Sequence, residues 1–176
     1  PGLFSAGFDL KTIQGGDPKA AIEMTTAGFK LLSRIYSFPR PVIAASSGHA
    51  IALGAFVLCC ADYRIGATGN FIVQANETRN GMSIPTPILE ISKSRILKNH
   101  WYRAILNAEA YSIADSIDAG YMDEVVEPEE LMTKSLEVAK DLATLSHPHY
   151  KQTKDLDQKE VLERINSSID TMSKAS

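Results

Sequence analysis

Runs of apolar and polar positions divide the chain into short strands and longer helices. The clearest unit is SSGHAIALGAFVLCCADYRI, residues 46–65. Before it, PVIAASS (41–47) is short, bulky and introduced by a proline, the pattern of a buried strand. Gly48 is expected to break that strand, and His49, Ala50, Ile51 and Ala52 to form a small-residue turn. Residues 53–61 are apolar and uncharged, which predicts a buried helix, and Asp62 opens a second strand at Tyr63. The first N–H groups of a helix lack internal partners and carry partial positive charge. Starting inside a protein beside small residues, such a helix can present those groups to an oxyanion. A core helix lying under a sheet has the same pattern, so the neighbouring segments decide between the two.

Upstream, Leu3, Phe4 and Ser5 read as a strand end, Ala6 and Gly7 as a sharp turn, and residues 8–11 as a helical start. Asp17 and Pro18 have the form of an N-cap and a first helical position. The helix they open is predicted to reach about Ser37. Its inward stripe is expected at Ala21, Met24, Gly28, Leu31 and Ile35, widened by Leu32 and Tyr36. Downstream, residues 70–75 read as a strand, 76–81 as a polar turn, and 87–97 and 101–107 as helices. Ser112 and Asp115 have capping-box spacing ahead of a short helix closed by Gly120. A brief strand at 123–127 precedes a helix from about Glu129 to Leu145. His147, Pro148 and His149 read as a break before a charged helical tail from Lys151. Strands thus alternate with helices in the first half and helices dominate the second, an α/β arrangement with mostly parallel pairing.

Composition adds little and excludes more. The 176 residues fit one domain, 44% hydrophobic and 22% charged. A net charge of −3 gives no electrostatic reason to expect nucleic acid, and no apolar run is long enough for a membrane span. Cys59 and Cys60 are adjacent in an apolar segment, the pattern of small core hydrophobes in a reducing compartment rather than of a disulfide or metal site. No signal peptide is recognisable, and a cytoplasmic location is expected. The opening at Pro1, directly on a site-like loop, reads as the later part of a longer polypeptide.

Taken in order, FSAGFDLK (4–11), PVIAASSGHA (41–50), ADYRI (61–65), ANE (75–77) with GMSIP (81–85), and AGYMDEVV (119–126) resemble the enoyl-CoA hydratase/isomerase family, the crotonases. Each motif alone is weak; their order and spacing carry the likeness, over residues 2 to about 131. It implies a crotonase-like spiral of βαβ units in two sheets, residues 1–125, without the early strands. A C-terminal helical trimerisation region, 126–176, would follow. It also implies an acyl-CoA substrate, with coenzyme A as part of the substrate and no separate cofactor or metal, and a homotrimer or hexamer.

The resemblance assigns residues one by one. The backbone N–H groups of Phe8 and Leu53 are expected to hold a thioester enolate oxygen, with Gly54 as the fallback for Leu53. Ala6 corresponds to the backbone acceptor for the adenine amino group, and Lys11 to a lysine near the coenzyme A phosphates, although a solvated lysine reads equally well. The family's hydratases manage one water with two glutamates. One corresponds to Glu77, four residues before Gly81; at the other position stands Phe56, which can neither give nor take a proton. His49 is read as packed or hydrogen-bonded. Lys151 and Lys154 are read as part of a charged helix, with coenzyme A phosphates as the alternative. Leu156, Val161, Leu162, Ile165 and Ile169 form an apolar stripe suited to a partner surface, with a tail folded back on its own domain as the alternative.

One carboxylate favours double-bond isomerisation, in which a single base removes and redelivers a proton. The rival readings are a true hydratase whose second carboxylate is replaced, and a catalytically weak acyl-CoA-binding protein.

Overall fold

The computed structural model describes residues 2–174. The first strand, β1 (Gly2–Ser5), leads through a short loop to α1 (Leu10–Gln14) and the long α2 (Pro18–Tyr36). Strands β2 (Ile43–Ser46) and β3 (Gly48–Ile51) follow almost without a break, then α3 (Leu53–Cys60), β4 (Tyr63–Ala67) and β5 (Ile72–Gln74). The rest comprises α4 (Thr86–Lys93), a π-helical turn (Tyr102–Leu106), β6 (Tyr111–Ser112), α5 (Asp115–Ala119), β7 (Glu124–Val126), α6 (Leu131–Leu142) and α7 (His147–Ser173).

The strands form two sheets. One has the order β1-β3-β5-β6, the other β2-β4-β7. All pairings are parallel except β5 with β6. Consecutive strands β2 and β3 belong to different sheets, so the chain changes sheet at Ser47. Gly48 makes this possible. It pairs with Gly2, and a Cβ on Gly48 would stand 2.1 Å from the Gly2 carbonyl carbon. Residues 48–51 are therefore a strand and not the expected turn, which shrinks to Ala52. The reason is the close approach of β1, which only a glycine allows at this point. His49 on β3 is packed and bonded as expected: its Nδ1 accepts from the Ile72 N–H at 3.1 Å, and its ring meets Phe71 edge-on.

Helix α2 starts as expected, with the Asp17 carboxylate accepting from the N–H groups of Lys19 and Ala20. Its buried face is Thr26, Gly28, Phe29, Leu32, Ser33 and Tyr36, so Leu31 is a correction, at 51% exposure. The heavier Phe29, Leu32 and Tyr36 outweigh the lighter stripe and turn the helix by part of a residue. Helix α3 is buried, as its uncharged run predicts, and both cysteines are free within it. Burial pushes the Cys59 thiol up to about 11, and it also raises Cys60.

Two expectations about the tail are overturned. His147, Pro148 and His149 begin α7 and do not interrupt it, with Pro148 in the first turn, where its missing N–H costs nothing. The stripe of α7 is also not a free surface. Ile165 and Ile169 belong to the main core, and the helix lies on α2 and α4. Ser33 donates to Asn166 at 2.9 Å, and Arg164 to Glu90 at 2.8 Å. Lys154 is buried, with Nζ 2.8 Å from both carboxylate oxygens of Asp62, and so is not placed for a phosphate; Lys151 pairs with Asp155. Leu156 alone of the stripe stands out, at 77% exposure. No helix among the described residues is long and apolar enough to cross a membrane.

The packing of α7 separates two substitutions. Ile165→Ala is expected to lower unfolding free energy by about 2–4 kcal/mol, the usual range for a truncated core side chain. Leu156→Ala is expected to change it by less than about 0.5 kcal/mol. Urea unfolding of both variants gives the comparison, and equal losses would contradict this packing.

Candidate active site

The site is built where three connections meet. The first is the loop after β1. Gly7 has φ +94°, and a Cβ there would lie 2.9 Å from the Ala52 Cβ and 3.3 Å from the Leu53 nitrogen. The loop thus lies directly against the entry to α3. Its Phe8 ring fits because α2 carries Gly28: a Cβ on Gly28 would be 2.3 Å from that ring. The ring also meets Phe29 edge-on at 6.1 Å between centroids.

The second connection is Ala52. Its φ of 53° and ψ of −125° belong to glycine's territory, and holding an alanine there costs about 1–3 kcal/mol. Both sides of the residue are held. Its N–H donates to the Gln74 carbonyl at 2.9 Å, extending the β3–β5 ladder, and its carbonyl accepts from Ala55 at 2.9 Å as α3 begins. The turn therefore aims the start of α3 out of the sheet. Neither the Phe8 nor the Leu53 N–H has an acceptor among the described residues.

The third connection follows β5. The carbonyl of Glu77 accepts from Asn80 at 3.0 Å and Met82 at 2.9 Å, and Gly81 closes the turn with φ +70°. The short 3₁₀ segment Thr78–Asn80 completes it. The Glu77 side chain is turned inward, at 8% exposure, and its Oε2 has no partner.

These parts border one cavity of about 160 Å³. Phe8, Leu53, Phe56 and Glu77 all line it, with Ala6 and Ala52 beside them. Phe56 is fully buried, one helical turn beyond Leu53, and fills its share of the wall with hydrocarbon. Burial in this wall pushes the Glu77 carboxyl from the ordinary 4.5 up to about 6, against a smaller lowering by a hydrogen bond from its own backbone.

Two assigned residues are not brought to the cavity. Gly54 is buried against β1, where a Cβ would come within 2.4 Å of the Ser5 carbonyl oxygen, and it is not among the residues lining the cavity. Lys11 is exposed on α1, while Leu10 and Ile13 of the same helix reach the lining. Sequence reasoning missed Asn76, whose Oδ1 is buried without a partner on the same wall. It stands inside the ANE motif, beside the residue that drew attention. Asn80, Met82 and Ser83 also line the cavity. Among the described residues no cluster of His, Cys, Asp or Glu is grouped to hold a metal.

The arrangement can therefore take a small apolar group, set a basic carboxylate against it, and present free backbone N–H groups nearby. The family profile described as enoyl-CoA hydratase/isomerase matches residues 1–172. The mouse mitochondrial enoyl-CoA delta isomerase 1 is 28% identical over 139 residues, 78% of this chain and 48% of that protein. The crotonyl-CoA hydratase of Syntrophomonas wolfei is 30% identical over 145 residues, 77% of this chain and 52% of that protein. Two solved structures of one Mycobacterium tuberculosis protein, described in one case as a probable enoyl-CoA hydratase and in the other as an enoyl-CoA isomerase, superpose with TM-scores of 0.93 and 0.91 at 37% identity, covering 99% and 98% of this chain and 73% and 74% of that one. The chain spans about half the length of the curated relatives it matches.

Burial of Glu77 has a cost that can be measured. In the folded protein the carboxyl keeps its proton up to about pH 6, whereas unfolded it releases it near 4.5. Between those values the folded state binds more protons, so stability falls as pH rises through that window, by about 2 kcal/mol in all. Glu77→Gln is therefore expected to stabilise the fold by about 2 kcal/mol near neutral pH and by almost nothing well below pH 4.5. Denaturant unfolding at the two pH values tests this; a pH-independent difference would contradict it.

Proposed function

Because the chain belongs to the enoyl-CoA hydratase/isomerase family and has its crotonase fold, we propose that it shifts a double bond in an enoyl-CoA thioester with Glu77 as the single base. One observation supports this reading: a buried carboxylate of raised pKa, one of its oxygens unpartnered, lines an apolar cavity together with Phe8 and Leu53 of two abutting turns, whose N–H groups have no acceptor among the described residues. Glu77 takes a proton from the carbon next to the thioester carbonyl. The electron pair moves into the conjugated enolate, whose oxygen accepts from the Phe8 and Leu53 N–H groups. Glu77 then returns the proton to the far carbon of the allylic system, leaving the double bond conjugated with the thioester. The carboxylate is regenerated, and no water is consumed.

A base near pKa 6 is suited to this work, because its proton-accepting form is present at neutral pH while its basicity exceeds that of an ordinary carboxylate. Phe56 supports isomerisation over hydration, since the described side chains that line the cavity with Glu77 include no second acid or base to handle water. Hydration is the second reading. Asn76 Oδ1 and Glu77 Oε2 are unpartnered acceptors on one wall, a pair able to hold a water between them.

For the rest of the substrate, the Ala6 carbonyl is assigned to the adenine amino group, and the exposed Lys11 to the phosphates. The protein is proposed to work as a homotrimer or hexamer, in the cytoplasm.

Exchange of the α-protons of a bound saturated acyl-CoA with deuterated water isolates the first step. Glu77→Gln is expected to slow it by about 10²–10⁴. Phe56→Glu is expected to raise hydration of a 2-enoyl-CoA at the expense of isomerisation of a 3-enoyl-CoA. Exchange at the native rate in Glu77→Gln would contradict the assignment of the base.

A further inference from the structure

The turn that carries Glu77 is fastened at both ends to a single carbonyl. Gln74, the last residue of β5, donates from Nε2 to the Ala108 oxygen at 2.8 Å. Arg79, two residues beyond Glu77, donates from Nε to the same oxygen, also at 2.8 Å. Thr78 adds a bond from its hydroxyl to the Leu106 carbonyl at 3.1 Å.

The acceptor segment is unusual. The π-helical turn ends just before Ala108, closed by the Asn107 N–H on the Tyr102 carbonyl at 2.8 Å. Ala108 then takes the left-handed conformation, φ 49°, while fully buried. A strained residue and a π-turn each persist only where something over-determines them. Here their joint effect is to turn the Ala108 carbonyl toward the Glu77 turn.

We propose that Gln74 and Arg79 are positioning residues of the active site, gripping the Ala108 carbonyl from either side so that the turn between them holds the Glu77 carboxylate in its cavity. The proposal rests on Glu77 being the base. The grip acts through geometry: burial and a backbone hydrogen bond are the causes of the Glu77 shift. The other side chains lining the cavity are uncharged. Tyr121 couples to Glu77, and burial keeps its phenol protonated. Arg103 of the π-turn is occupied by Glu109, its Nε 2.7 Å from the carboxylate.

The test compares Arg79→Met, Arg79→Lys, Gln74→Leu and the double variant Gln74→Leu/Arg79→Met with Glu77→Gln, in isomerisation of a 3-enoyl-CoA across pH. Arg79→Met is expected to lower kcat about tenfold, and the double variant about a hundredfold, with KM within about twofold, because small displacements of a reacting group cost that much. The acid limb of the pH profile should move from near 6 toward the ordinary carboxylate range as the loosened turn admits water. Arg79→Lys should restore part of the rate. A purely structural role would lower thermal stability and leave kcat and the acid limb in place, which would overturn the proposal. Arg79→Met is the arm that bears most weight, since the side chain is exposed and its loss is least able to prevent folding. If Glu77→Gln retains native turnover, the base assignment fails first; if Glu77→Gln is inactive while the latch variants keep both rate and limb, the latch alone fails.

Discussion

A carboxylate held in hydrocarbon is the constraint around which this site is arranged. Water would lower the Glu77 pKa and blunt its basicity, so the wall must stay apolar, and Phe56, Phe8, Leu53 and Ile88 supply it. The same wall leaves one oxygen of the charged form without a partner, and the fold must absorb that cost elsewhere. It does so through a largely buried α3 and through α7, which lays Ile165 and Ile169 into the common core. The stability given up at Glu77 and the chemistry gained there have one cause.

Close backbone approach provides the rest of the geometry. Gly48 lets β3 lie against Gly2, so that consecutive strands enter different sheets. Gly54 lets α3 start against Ser5, and Gly28 leaves room for the Phe8 ring. Ala52 accepts a glycine-like conformation between these contacts and aims the first turn of α3. A side chain added at any of these glycines would push apart the turns that bring Phe8 and Leu53 to the cavity. Small residues here set distances between backbones, which is why the catalytic proposal depends on them although none carries a functional group.

Much of this was legible in the sequence where local chemistry governs. Asp17 with Pro18 marked the start of α2 and the uncharged run at 53–61 marked a buried helix, whereas Glu77 was singled out only through the family resemblance. What was not legible depended on contacts distant in sequence. The strand at 48–51 exists because β1 pairs with it, which composition at 48–51 cannot signal. Leu31 faces outward because Phe29, Leu32 and Tyr36 compete more strongly for the core. The stripe on α7 has the pattern of any amphipathic helix, and only the positions of α2 and α4 show that it folds back. Asn76 and the grip on Ala108 were hidden for the same reason: an orphaned oxygen and a shared acceptor are properties of a folded neighbourhood.

The most direct test of this account is the titration of the Glu77 carboxyl itself, followed by its carbon-13 chemical shift in selectively labelled protein, with Glu77→Gln identifying the resonance. The account predicts a midpoint near 6, raised by burial against a smaller backbone hydrogen bond and little changed by salt. A midpoint at or below the ordinary 4.5 would mean that water or a cation reaches the carboxylate, and would contradict the apolar, single-base site.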